Sequence, residues 1–219
     1  MQIQGVIFDF DGVIAETESV HRQSWVELSN ELSRPLPEGF LDRGIGSTLD
    51  KLAWELFEFW NGDVDLQEIL DGKAEFFRSV LATHPDVLVN GVIDAIERFH
   101  EMQLPLGIAT SSPYKEIEPL LNTHGIKSLF KSILTLDMVD KPKPDPEVYL
   151  KSADAIGIKP ENCLVFEDSI LGVTAATKAG MNVVGVLTSF KIDQLPPLIY
   201  SIDDFLDIST VIEKFSIQA

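Results

Sequence analysis

Residues 6–18 read VIFDFDGVIAETE, and the rest of the chain is organised around them. Val6, Ile7 and Phe8 form a short apolar run that reads as a buried strand, and Gly12 ends it with a tight turn. Side chains alternate faces along a strand, so Asp9 and Asp11 share one side of its end while Phe10 points away. Two neighbouring carboxylates repel each other, and the low-dielectric end of a buried sheet makes that worse. A divalent cation is the natural group to offset the cost. The same aspartates, taken alone, serve equally well to close a strand and cap the next helix. The decision therefore falls to the other strand ends.

The totals bound the answer. At 219 residues the chain fits one large domain, or a core with a smaller insert, and 45% hydrophobic content is ample for a sizeable core. No stretch approaches the roughly 18 uninterrupted apolar residues of a membrane helix, and the N-terminus does not read as a signal peptide. Cys163 is the single cysteine, so no intrachain disulfide forms, and a cytoplasmic location is expected. Seventeen basic against 35 acidic residues give a net charge of −18, which excludes nucleic acid and anionic membranes as expected partners. Most of these charges read as a solvated surface. An anionic substrate would need a metal and a few placed donors to be held here.

Along the chain, 17–32 carries Val20, Trp25, Leu28 and Leu32 at near-helical spacing, and 49–60 and 66–82 read as two more amphipathic helices. No strand pattern occurs between about 17 and 85, and THPDVLVNG at 83–91 supplies boundary-like turn chemistry. Residues 16–86 thus form an all-helical insert. Beyond it the pattern alternates: helix 92–102, strand 104–110, helix 115–124, strand 132–135, helix 147–156, strand 162–168, helix 170–179 and strand 182–186, then a weaker strand and a last helix. That alternation predicts an α/β fold with a doubly wound parallel sheet and ligand groups at the carboxyl ends of its strands.

Three further polar strand ends follow the first. Thr110-Ser111-Ser112 stands between an apolar strand and a helix, where a hydroxyl and open backbone N–H groups make an anion site or an ordinary cap. In Lys141-Pro-Lys143-Pro-Asp145-Pro-Glu147 the prolines stiffen the loop, so that a lysine can hold phosphate charge as a point cation. Glu167-Asp168 closes the run Leu164-Val165-Phe166, and Mg²⁺ favours one or two carboxylates plus substrate and water.

With these four strand ends in place the chain resembles the haloacid dehalogenase superfamily, in the subgroup that includes β-phosphoglucomutase and small-molecule phosphatases. DFDGVIAETE is similar to the first family motif, Thr110 in ATSS to the second, Lys143 in KPDPEVY to the third, and Glu167-Asp168 in VFEDSILGVTAATKAGM to the fourth. Lys143 rather than Lys141 takes the third position, because the family spacing runs from the lysine to a later aromatic, here Tyr149. Glu16 departs from the pattern, where relatives more often carry Asp. The resemblance implies a Rossmann-like core of residues 1–15 and 87–219 with a helical cap of residues 16–86. It implies Asp9 as nucleophile forming an aspartyl-phosphate and Asp11 as general acid and base. It also implies Mg²⁺ at Asp9, the Asp11 carbonyl and Asp168 with Glu167 bound or adjacent, and Thr110, Ser111 and Lys143 on the transferring phosphoryl oxygens.

The expected function is hydrolysis of a small phosphorylated metabolite, a sugar or polyol phosphate, by a cytoplasmic monomer. A dehalogenase does not need Asp11 or the Glu167-Asp168 pair, and a phosphonate-cleaving relative needs a Schiff-base lysine, for which the insert has only Lys51 and Lys73, neither in a recognisable motif. A binding module would have lost a catalytic position, and none is lost. The runner-up is a mutase of the β-phosphoglucomutase type. Against it, Ser47 in Arg43-Gly-Ile-Gly-Ser47 stands where that mutase has an arginine for a second phosphate, and Pro113-Tyr114 replaces its Lys-Asn. His21, Trp25, Arg43 and Ser47 are the cap candidates for substrate contact, with Arg22 and Trp54 behind them; for the tryptophans cap-core packing is the alternative.

Overall fold

The computed structural model describes residues 2–44, 47–84 and 87–217. The chain divides into two compact units, Met1–Glu16 with Leu88–Ala219, and Thr17–Val87.

The first unit is built on a six-stranded parallel sheet of order β3-β2-β1-β4-β5-β6. Its strands are β1 (Gly5–Phe8), β2 (Leu106–Ala109), β3 (Ser132–Leu134), β4 (Cys163–Glu167), β5 (Asn182–Val186) and β6 (Tyr200–Ile202). The helices between them are α5 (Val92–Glu101), α6 (Tyr114–Thr123), α7 (Glu147–Ile156) and α8 (Ile170–Lys178), with α9 (Ile208–Lys214) at the end. Every residue of β1, β2 and β4 is buried, which is why these strands read as unbroken apolar runs rather than alternating ones. Alternation instead sorts apolar residues between two covered faces. Ile7 and Val165 pack with Tyr149, Val173 and Ala176 from α7 and α8. Phe8 and Phe166 stack at 5.2 Å in an aromatic cluster with Phe99 of α5 and Phe205.

The chain runs outward from β1 to β2 and β3, then returns to the other side of β1 for β4, β5 and β6. The reversal places a crevice at the carboxyl ends of β1 and β4, where helices leave on opposite sides. The expected doubly wound α/β core is borne out. The strand order is new information, since periodicity says nothing of which strands are neighbours.

Among its described residues the regular elements of the second unit are all helices: α1 (Glu18–Glu31), α2 (Phe40–Arg43), α3 (Leu49–Phe59) and α4 (Leu66–Thr83). Thr48 and Asp65 accept backbone N–H groups at the starts of α3 and α4. Trp25, Leu28, Phe40, Leu56, Trp60 and Ile69 form its own core, with the Trp60 indole donating to the Pro35 carbonyl at 2.8 Å. The sequence pattern does not reveal α2, because four residues are too few to show a helical period. No helix among the described residues is long and apolar enough to cross a membrane.

Candidate active site

Register brings the polar strand ends together. Phe8 pairs with Ile108 on one side and Phe166 on the other, and the ladder continues one residue further through Asp9 N–H to the Phe166 carbonyl at 3.0 Å. Asp9 therefore ends beside Glu167, the next residue of β4. On the other flank, Thr110 N–H bonds the Leu134 carbonyl at 3.0 Å and follows β2 directly. Asp9, Glu167 and Asp168 each offer a carboxylate oxygen within 4.8 Å of the others, all three residues being buried.

Two glycines make room for this crowding. Gly12 has φ +73°, and a Cβ there would lie 1.9 Å from Asp168 Oδ2. A Cβ at Gly172, in the first turn of α8, would lie 1.4 Å from Glu167 Oε1. Glu167 can fold back against the helix start because Gly172 has no side chain. Its Oε2 there accepts Ser169 N–H at 2.7 Å and the Ser169 hydroxyl at 3.0 Å.

Lys143 reaches the cluster from a braced loop. Glu147, at the start of α7, accepts the N–H groups of Asp140 and Lys141 at 3.1 and 3.0 Å, and Lys178 donates to the Pro144 carbonyl at 3.1 Å. Lys143 Nζ lies 2.8 Å from Glu167 Oε1, 3.0 Å from Asp9 Oδ1 and 3.1 Å from the Tyr149 hydroxyl. Lys141, by contrast, is exposed, and its Nζ lies 4.0 Å from Asp145 Oδ2. Asp11 is half-buried; the Ser112 hydroxyl donates to its Oδ2, and Thr110 Oγ1 lies 3.5 Å from the same oxygen. Ser111 is exposed. The Ser189 hydroxyl donates to Asp168 Oδ2, and Thr188 Oγ1 donates to the Gly12 carbonyl at 2.5 Å.

Burial pushes the Asp9 carboxyl up to about 8, with Lys143 pulling it down and Glu167 and Asp11 pushing it further up. Burial, then Glu167 and Asp9, raise Asp168 well above the ordinary carboxylate range, against the Ser189 hydrogen bond. Burial disfavours the Lys143 charge as well, but Asp9 and Glu167 outweigh it and hold the amine above its ordinary value. If all three buried carboxylates ionised, the one ammonium would leave two negative charges uncompensated, which is the repulsion that raises Asp9 and Asp168. Asp9 Oδ1 also has no hydrogen-bond donor among the described residues, its 3.0 Å ion pair with Lys143 being poorly aligned for one. An all-oxygen set short of two positive charges fits a hard divalent cation.

Residues 6–186 match the haloacid dehalogenase-like hydrolase family. The chain belongs to that family. The fructose-1-phosphate phosphatase YqaB of Escherichia coli is 31% identical over 182 residues, covering 83% of this chain and 95% of the relative. The validoxylamine A 7'-phosphate phosphatase of Streptomyces hygroscopicus subsp. limoneus is 30% identical over 194 residues, covering 86% and 88%. A solved β-phosphoglucomutase from Clostridium difficile superposes with TM-score 0.82 over 98% of each chain at 24% identity, which shows a shared fold. The chain is thus an enzyme of a hydrolase family with named phosphatases among its relatives.

In this haloacid dehalogenase-like hydrolase the strand-end residues Asp9, Asp11, Thr110, Lys143, Glu167 and Asp168 come together in one unit. His21, Trp25, Arg43 and Ser47 belong to the helical unit. There His21 Nδ1 lies 2.7 Å from Lys73 Nζ and its ring stacks on Phe77 at 4.4 Å. Trp25 is buried against Phe40. Arg43 donates to the Glu38 carbonyl and to Glu55, and Ser47 donates to the Arg43 carbonyl. Ile45 and Gly46 of the same stretch lie outside the described residues. Sequence reasoning missed Ser112, Tyr149 and Ser189 as site residues and the space-making role of Gly172. Ser112 was legible as the third hydroxyl after β2, but nothing local marks Ser189, which reaches Asp168 only through the fold.

Proposed function

We propose that this enzyme hydrolyses phosphate monoesters of small polyhydroxylated metabolites, sugar or polyol phosphates, through an aspartyl-phosphate on Asp9. The observation that carries the reading is the buried cluster of Asp9, Glu167, Asp168 and Lys143, with Asp11 and Thr110 at its edge. Its relatives' names, a fructose-1-phosphate phosphatase and a validoxylamine phosphate phosphatase, favour sugar-like substrates.

Asp9, with Oδ1 lacking a hydrogen-bond donor, attacks phosphorus in line and holds the phosphoryl group covalently. Asp11, oriented by Ser112, protonates the leaving oxygen and then takes the proton of the attacking water. Lys143 and Thr110 face the transferring oxygens, where charge accumulates, with the Ser111 backbone N–H beside them. Asp9, Asp168 and the Asp11 carbonyl would hold Mg²⁺, which supplies charge neutralisation and polarisation of the phosphoryl group. Glu167 serves differently, because both its oxygens already accept hydrogen bonds. It contributes charge and orients Lys143. The family resemblance assigns the helical unit the part of a cap, with His21, Trp25, Arg43 and Ser47 as its candidates for substrate contact. With Cys163 free and buried, we place the enzyme in the cytoplasm.

The test is a panel of phosphorylated metabolites scored for released phosphate with and without Mg²⁺. Release from sugar or polyol phosphates that stops in chelator is the expected result. β-Glucose 1-phosphate supplied with a trace of glucose 1,6-bisphosphate covers the mutase outcome. Stoichiometric glucose 6-phosphate with almost no phosphate released would replace hydrolysis with transfer.

A further inference from the structure

Tyr149 is fully buried, yet from α7 its hydroxyl reaches Lys143 and Glu167 of the charged cluster. A phenylalanine would fill the same space among Ile7, Val165 and Val173, so packing alone does not call for the hydroxyl. The three atoms Lys143 Nζ, Tyr149 Oη and Glu167 Oε1 form a closed triangle with sides of 3.1, 3.0 and 2.8 Å.

The donor directions in that triangle are forced. An ionised carboxylate only accepts and an ammonium only donates. Tyr149 therefore donates to Glu167 and accepts from Lys143, and Lys143 gives a second N–H to Glu167. Two of the three ammonium protons are thereby assigned. The third is left on the side of Asp9 Oδ1, 3.0 Å away but out of line for a hydrogen bond. An ammonium otherwise turns readily about its Cε–Nζ bond.

We infer that Tyr149 is a positioning residue, whose hydroxyl sets the rotation of the Lys143 ammonium so that one N–H is kept for a phosphoryl oxygen delivered to Asp9. This rests on the proposed phosphoryl-transfer reading of the site. The ring itself also lies 4.8 Å from Nζ, so Tyr149→Phe keeps both volume and cation–π attraction and removes the hydroxyl alone.

Tyr149→Phe and, as a matched control, Tyr200→Phe on β6 are assayed on the best substrate of the panel. The expected result is a kcat lowered about tenfold by the loss of alignment, with KM within about twofold and an unchanged Mg²⁺ requirement. A kcat within about twofold of wild type, or a loss carried by KM, overturns the inference. A second measurement needs no turnover: the ¹⁵N ammonium resonance of Lys143, assigned by its loss in Lys143→Arg. The inference expects slow solvent exchange in wild type and a shifted, faster-exchanging signal in Tyr149→Phe. An unchanged signal, or none in wild type, overturns it. A changed signal in a wild-type protein inactive on every phosphomonoester would sink the hydrolase reading and leave the positioning role standing.

Should Tyr149→Phe fail to give a folded near-ultraviolet circular dichroism spectrum, 3-fluorotyrosine is incorporated in the Tyr114→Phe/Tyr200→Phe chain. Tyr149 then carries the only label, because the chain has three tyrosines. That change keeps the ring and strengthens the hydroxyl as a donor, so kcat is expected to move more than about threefold at constant KM. An unmoved kcat counts against the inference.

Discussion

Asp9→Asn is expected to abolish turnover and, in the metal-free protein, to raise stability. Both follow from one arrangement, a nucleophile buried among like charges. Holding the Asp9 carboxyl near about 8 instead of its ordinary 3.8 opposes ionisation by about 6 kcal/mol at face value. The amide is nearly isosteric and has no such penalty. Its gain is smaller than the face value, because Lys143 loses a carboxylate partner at 3.0 Å. About 2 kcal/mol should survive, or about 5 °C in Tm for a chain of this size. The pH dependence supplies the sign. A carboxyl whose folded pKa is raised begins to oppose folding once the unfolded chain ionises, near 3.8, and the penalty grows until the folded group ionises too, near 8. The Tm difference between variant and wild type should thus be near zero at pH 4, widen up to pH 8 and then level off. Melting curves in chelator at several pH values give the comparison. Added Mg²⁺ should stabilise wild type more than the variant and close the gap. A wild type as stable as Asp9→Asn at pH 8 without metal, or a gap that ignores pH, would refute the reasoning. So would residual activity above about one per cent, since loss of a covalent nucleophile costs far more.

Chelation should stop turnover and Mg²⁺ restore it, and Asp168→Ala should raise the Mg²⁺ needed for half-maximal rate at least about tenfold; equal rates in excess chelator would remove the metal from the mechanism. Gly172→Ala should push the Glu167 carboxylate out of its bonds to Lys143, Tyr149 and Ser169, lowering stability by about 2 kcal/mol and kcat at least about tenfold, as read by urea melts and steady-state kinetics. An active, fully stable Gly172→Ala would mean that Glu167 has another seat. Burial, and next the Glu161 charge, push the Cys163 thiol up to about 12, so a thiol-reactive disulfide reagent at pH 8 should label the native protein negligibly and the denatured protein fully.

The α/β class and the family were legible in the chain itself, for a local reason. Buried parallel strands must be apolar from end to end, so VIF, LGIA and LVF announce themselves, and the helices between them show their own period. The polar residues that break those runs at Asp9, Thr110 and Glu167 were equally visible, because a carboxylate closing a buried strand is costly without a reason. What no local pattern encodes is adjacency. β1 lies between β2 and β4 although 97 residues lie between Phe8 and Leu106 and more still before Cys163, and only that order turns separate strand ends into one cluster. The Glu167 carboxylate sits where Gly172 leaves space, Tyr149 completes the Lys143 triangle, and Ser189 bonds Asp168 from the loop after the neighbouring strand β5. Each of these is a contact between residues whose side chains carry no common sequence signal. Period and composition decide what a segment becomes; close packing alone decides which side chains share the few ångströms where charge has to be balanced.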